Sequence, residues 1–190
     1  MKFRYKADYK GDFDSNGIPL LNYHGNIGLQ YNPIAIAQYG LGNYNLFLID
    51  RDKNREEKFY KIADWLCDNL KENKNKIPVW FHFFDFEYKT TLKSPWYSGL
   101  AQGMGISLLL RAYYHSNNDK YKETALSAYK SFEKSINEGG VIFKDSEGSE
   151  WIEEYIVLPP THILNGFIWA LFGVYDLWKF TGNQNAENLF

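Results

Sequence analysis

Glu153, Glu154 and Tyr155 stand in a row two residues after Trp151, in a stretch otherwise dominated by aromatic and aliphatic side chains. A carboxylate beside a phenol can move a proton, because burial or a nearby charge shifts either proton affinity toward neutrality. A tyrosine starts near pKa ~10 and needs a cation or a developing charge to ionise at pH 7. The same three residues also read as a hydroxyl capping a helix carbonyl beside two solvated glutamates.

Other residues are polar where the pattern is apolar. Gln38, Gln102 and Asn165 sit at matching places, 64 and 63 residues apart, in three apolar segments. A buried amide without partners costs about 1 to 3 kcal/mol, so each must bond another helix or a ligand. His162 follows Pro159-Pro160-Thr161 at a predicted helix start, where backbone N–H groups favour an anion such as a uronate carboxylate, unless Thr161 merely caps the helix. Ser94-Pro95-Trp96-Tyr97 holds the corresponding place one unit earlier and reads as N-cap, first-turn proline and two aromatics. Capping accounts for Ser94 and Pro95. It does not account for Trp96 and Tyr97 side by side, since neighbours on a helix do not share a face.

Hydrophobic periodicity predicts the elements that position these groups. Helices are expected over residues 33–48, 54–71, 95–115, 119–137 and 161–180, with the opening of another over 183–190. An aromatic extended stretch covers 79–88, and a hairpin over 141–156 turns at Ser146-Glu147-Gly148. Glu87-Tyr88 and Glu154-Tyr155 match at 67 residues, so the chain repeats a unit of helix, helix and short hairpin about two and a half times. The first helices are apolar nearly all round and the second are amphipathic, which predicts an inner and an outer layer. The expected fold is mainly all-α: an arc of an alpha/alpha toroid with short β-hairpins between units. Residues 1–30 form an N-terminal extension, and residues 31–190 the helical domain, truncated in its third hairpin. One flank of the last inner helix would face water, so further chain or a second copy is expected to cover the open toroid edge as a homo-oligomer.

Composition excludes several classes. The 190 residues amount to one domain, 45% hydrophobic and 23% charged, with a net charge of −2 and no basic block. No nucleic-acid partner is expected, and no membrane partner, because no apolar run is long enough to span and Met1–Lys10 is no leader. The single cysteine, Cys67, excludes an internal disulfide and falls on an apolar stripe; four scattered histidines give no metal site. Aromatic residues reach 18%, an excess that suits a helical core or a sugar-binding cleft.

Three ordered motifs resemble a family: Tyr31-Asn32-Pro33-Ile34-Ala35-Ile36-Ala37-Gln38-Tyr39-Gly40-Leu41, Ser94-Pro95-Trp96-Tyr97-Ser98-Gly99-Leu100-Ala101-Gln102-Gly103, and Glu153-Glu154-Tyr155 followed by Leu164-Asn165-Gly166-Phe167. Together, over residues 30–182, the chain resembles the C-terminal domain of D-glucuronyl C5-epimerases. The resemblance implies an alpha/alpha toroid that inverts C5 of glucuronate in heparosan-type polysaccharides, without a cofactor. It places catalysis on Glu154 and Tyr155 here and carries Asn165 and the Trp96-Tyr97 pair over as cleft residues; Gln38, Tyr39, Gln102, Trp151, Glu153 and His162 are the further candidate substrate contacts. The family's further tyrosines lie in motifs of the form Tyr-Asp-Leu-Arg-His and Asp-Tyr-His-Thr-Thr-His, which do not occur before Phe190. An isolated fragment with an incomplete, inactive site is therefore one expectation. Two other readings remain open, a non-catalytic module that binds an acidic glycan and a uronate lyase. The compartment is not legible.

Overall fold

The computed structural model describes residues 4–190. The chain opens with α1 (Arg4–Ala7) and a small hairpin, β1 (Leu21–Asn22) and β2 (Leu29–Gln30). Then come α2 (Pro33–Asp50), α3 (Lys53–Asn69), β3 (Leu70–Glu72) and β4 (Pro78–His82). A two-residue pair, β5 (Phe86–Glu87) and β6 (Thr91–Leu92), precedes β7 (Trp96–Tyr97), which pairs antiparallel with β4. The second hairpin of helices is α4 (Gly99–Ser116) and α5 (Asp119–Tyr129), followed by two short 3₁₀ turns. After β8 (Ile142–Lys144) and β9 (Glu150–Ile152), the third consists of α6 (Leu164–Thr181) and α7 (Gln184–Leu189).

Local chemistry explains the helix boundaries. Asn32, Asp52, Ser98, Asn118 and Asn183 each accept a backbone N–H of the first turn from the N-cap position. Arg51, Asn117 and Gly182 close α2, α4 and α6 in the left-handed conformation, and the next helix starts within three residues. The first helices start at Pro33, Gly99 and Leu164 and the second at Lys53, Asp119 and Gln184, a repeat of 65 to 66 residues. Helices α2, α4 and α6 form the inner layer; α3, α5 and α7 cover it.

Helix α4 is the centre of the core, buried from Gly99 to Leu110. It lies so close to α6 that a Cβ on Gly103 would stand 2.4 Å from the Ala170 Cα, and one on Gly173 would stand 2.1 Å from the Gly103 carbonyl oxygen. Gly103 therefore serves packing. Ser107 and Arg111 of α4 both bond the Asp176 carboxylate of α6, fixing the same crossing with a charged network. The opposite flank of α6 leaves Leu164, Ile168 and Phe172, one residue per turn, exposed.

Three expectations are corrected. The helix expected from Pro95 starts at Gly99, because Trp96-Tyr97 pairs as a strand with Phe81-His82 and Ser98, not Ser94, is the cap. The helix expected from Thr161 starts at Leu164, and its N-cap residue Ile163 makes no capping bond. The three amides are not at equivalent helical positions: Gln38 is the sixth residue of α2, Gln102 the fourth of α4 and Asn165 the second of α6. Residues 4–30 pack on the helical domain, where Ile18 joins the main core and Tyr23 packs on Phe84.

Candidate active site at the rim of the inner helices

The N-terminal ends of α2, α4 and α6 lie at one end of the arc, and the loops leading into them build the site. Asn32, the cap of α2, also donates from Nδ2 to the Tyr23 hydroxyl at 2.6 Å. That hydroxyl belongs to an aromatic cluster formed by Tyr23, Phe84, Phe86, Trp96 and Tyr155 with Leu92 and Val157. Strand alternation decides who enters it, because successive side chains point to opposite faces. Trp96 turns into the cluster, whereas Tyr97 turns away and donates its hydroxyl to the Gly139 carbonyl at 2.8 Å.

Trp96 is a wall and not a stacking platform. One face carries the His82 ring at 3.8 Å and 2° from parallel, Phe86 stacks at 5.9 Å, and the indole N–H donates to the Phe84 carbonyl at 2.8 Å. His82 is fully buried, which pushes its pKa down to about 3 against a weak opposing contact with the Trp96 backbone. It is a neutral ring at any physiological pH.

Tyr155 closes the cluster. Its ring centroid is 4.6 Å from Tyr88, 5.9 Å from Trp96 and 6.0 Å from Phe86. Beside it, Glu154 is only 8% exposed, and its Oε2 lies over Gly166 in the first turn of α6, where a Cβ would stand 2.1 Å from it. Burial raises the Glu154 carboxyl above its ordinary range, opposed in part by the neighbouring Tyr155 hydroxyl. Burial and the neighbouring Glu154 carboxylate raise the Tyr155 phenol. Both members of the pair thus hold protons more tightly than in water, and at neutral pH Tyr155 is a phenol.

Glu153 does different work. Its carboxylate is completely buried; Oε2 accepts the backbone N–H groups of Thr161 and His162 at 3.2 Å, and Oε1 lies 2.7 Å from His162 Nδ1. Its carbonyl accepts the Gly99 N–H at the start of α4. The anion expected beside His162 is therefore the chain's own Glu153, which ties the loop before α6 to the hairpin. Trp151 packs on His162 at 4.6 Å and Phe167 at 5.5 Å, and donates its indole N–H to Asp145 at 3.1 Å, so it belongs to this second cluster.

The amides divide three ways. Gln102 is completely buried: Oε1 accepts from Trp80 N–H at 2.9 Å, and Nε2 lies 3.2 to 3.3 Å from the Pro78 and Ala128 carbonyls and Ser131 Oγ. It is an internal brace with no atom left for a ligand. Gln38 is half-buried on α2 and Asn165 is exposed on the first turn of α6. Tyr39 is buried on the other side of α2, edge-on to Phe13 at 5.6 Å, and does not reach the aromatic cluster.

The sequence reading missed Tyr23, His82 and Phe84 as site residues. The dense aromatic run from Trp80 to Tyr88 was the available signal for two of them; Tyr23 had none. A groove of about 910 Å³ runs beside Trp96 along Lys71, Asn73, Phe83, Lys93, Tyr97 and Ile156–Leu158, with Tyr155 behind Trp96 on its wall. Among the described residues no three His, Cys, Asp or Glu side chains converge to hold a metal ion, and no helix is long and apolar enough to cross a membrane.

Paired inner and outer helices round an axis, with a buried carboxylate and a half-buried phenol at one rim, define an alpha/alpha-toroid protein. Solved structures agree on that fold: a family 76 glycoside hydrolase, a mannosidase, from Bacteroides thetaiotaomicron VPI-5482 superposes with a TM-score of 0.64 over 98% of this chain and 48% of its own, at 13% identity. Another family 76 glycoside hydrolase, from a bovine strain of that species, gives 0.59 over 84% and 33%, at 11% identity. The chain belongs to the family described as D-glucuronyl C5-epimerase C-terminus, which matches residues 73–190. A D-glucuronyl C5-epimerase of Caenorhabditis elegans is 38% identical over 131 residues, 68% of this chain and 21% of the relative. An uncharacterised protein of Methanocaldococcus jannaschii is 26% identical over 181 residues, 86% of this chain and 58% of the relative. The chain thus spans about a fifth and somewhat over half of these two relatives.

Proposed function

We propose that this domain supplies one face of a proton-transfer site for C5 of D-glucuronate in an acidic polysaccharide, with Tyr155 meeting the sugar and Glu154 behind it. The observation that carries this reading is the buried Glu154 beside the half-buried Tyr155 at the rim, in a chain of the epimerase family. C5 lies alpha to the uronate carboxylate, so the electron pair released from the C5–H bond delocalises into that carboxylate. Glu154 takes the phenol proton, the Tyr155 oxygen takes the C5 proton, and the reverse steps return one. A raised pKa makes Glu154 the stronger base for the phenol proton, while burial of Tyr155 opposes its release. Inversion also needs a donor on the opposite sugar face, which the family resemblance assigns to tyrosines outside this stretch.

A one-faced site has a distinct signature: it exchanges the C5 proton with solvent and leaves the configuration unchanged. The test is NMR of a glucuronate polymer incubated with the protein in deuterated water. Deuterium at C5 with wild type and none with Tyr155→Phe is the expected result. Equal incorporation by the variant would remove Tyr155 from the role, and an unsaturated product absorbing in the ultraviolet would make the protein a lyase.

A further inference from the structure

The groove beside Trp96 carries chemistry that the proton-transfer pair does not use. Its walls come from β3 and the turn after it, the loop from Thr90 to Pro95, Asn137 and Gly139, and Ile156–Leu158. Three lysines open on it, Lys71, Lys74 and Lys93. Lys93 is paired with Asp85 at 2.7 Å, and the one acid on the wall, Glu72, is 3.4 Å from Lys76. Lys71 and Lys74 are exposed and have no ion pair among the described residues. Facing the same space, Phe83 is 66% exposed and Leu158 62%.

Two unpaired ammonium groups beside an exposed flat ring match a sugar acid. The ring packs on the C–H face of a pyranose while the ammonium groups meet its carboxylates, and a neutral sugar would leave the charges unused. Trp96, on the groove's wall, lies 5.9 Å from Tyr155, so the groove runs beside the pair. We propose that this groove is a second, non-catalytic subsite for an acidic oligosaccharide, held by Lys71, Lys74 and Phe83 while another sugar of the same chain lies at Tyr155. The position of that second sugar rests on the function proposed above; the affinity of the groove does not.

The test is calorimetric titration of the protein with a glucuronate-containing octasaccharide and with its carboxyl-reduced, neutral counterpart. The variants are the charge reversal Lys71→Glu/Lys74→Glu and, separately, Phe83→Ser; all three positions are exposed. The expected result is at least a tenfold loss of affinity for the acidic octasaccharide in the double variant, with a flatter salt dependence, and a severalfold loss in Phe83→Ser. The neutral octasaccharide should bind wild type as weakly as the acidic one binds the double variant. Unchanged affinity in the double variant, or equal affinity of wild type for both sugars, overturns the subsite. Deuterium exchange by Tyr155→Phe is scored separately: exchange retained with affinity lost in the double variant removes the pair and keeps the groove, and the converse removes the groove and keeps the pair.

Discussion

Glu87-Tyr88 and Glu154-Tyr155 are the same dipeptide, each placed shortly before an inner helix, and their tyrosine rings meet with centroids 4.6 Å apart. Their surroundings differ. Glu87 is exposed on a two-residue strand and accepts the Thr91 hydroxyl at 3.0 Å, and Tyr88 lies on the outer side of the contact. Glu154 is sealed against Gly166, and Tyr155 is enclosed by Phe86, Trp96 and Tyr88 itself. Residue type offers a carboxylate beside a phenol at both places; desolvation raises the proton affinities of Glu154 and Tyr155.

The largest effects separate the two pairs by activity. Tyr155→Phe should lower C5 exchange by about 10²-fold or more, the scale of a lost acid–base group, whereas Tyr88→Phe should cost about threefold or less. Glu154→Gln should fall nearly as far as Tyr155→Phe, and Glu87→Gln should stay close to wild type in the same assay.

Gly166→Ala probes the seal around Glu154. The new methyl group displaces the carboxylate, and overpacking of about 1 to 3 kcal/mol is offset by roughly 1 kcal/mol of helix propensity, a net loss of about 0 to 2 kcal/mol. Exchange should fall about tenfold by loss of the Glu154 position. Thermal melting and exchange rates on one preparation separate the two effects.

The pH dependence of stability carries a definite sign. A carboxyl raised in the folded state contributes stability that is complete below its unfolded value and is lost as pH rises through its folded value. Glu154→Gln should therefore gain in melting temperature over wild type between pH 4 and pH 7, at the expense of exchange. Calorimetric scans at both pH values check this. The smallest effect belongs to Thr91→Ala, which frees Glu87 in solvent and should cost about 0.5 kcal/mol or less.

The repeat and the layering of helices were legible because each is written locally, in period and residue type, and so was the adjacency of Glu154 and Tyr155. What was not legible depends on contacts distant in sequence. Trp96-Tyr97 reads as a helix start until β4, fifteen residues earlier, claims it as a strand. His162 reads as an anion site until the buried Glu153 fills it, and Gln102 as a ligand group until Trp80, Pro78, Ala128 and Ser131 satisfy it. Tyr23 reaches the cluster from a segment without periodicity, so no pattern could place it.

The most direct measurement is a carbon NMR titration of the Glu154 side-chain carboxyl in wild type and in Tyr155→Phe. The account predicts a midpoint above the ordinary glutamate value, moving higher still in the variant, because the neighbouring phenol hydroxyl holds it down. An ordinary midpoint, unmoved by the loss of the phenol, would show that burial does not tune this pair and would contradict the account.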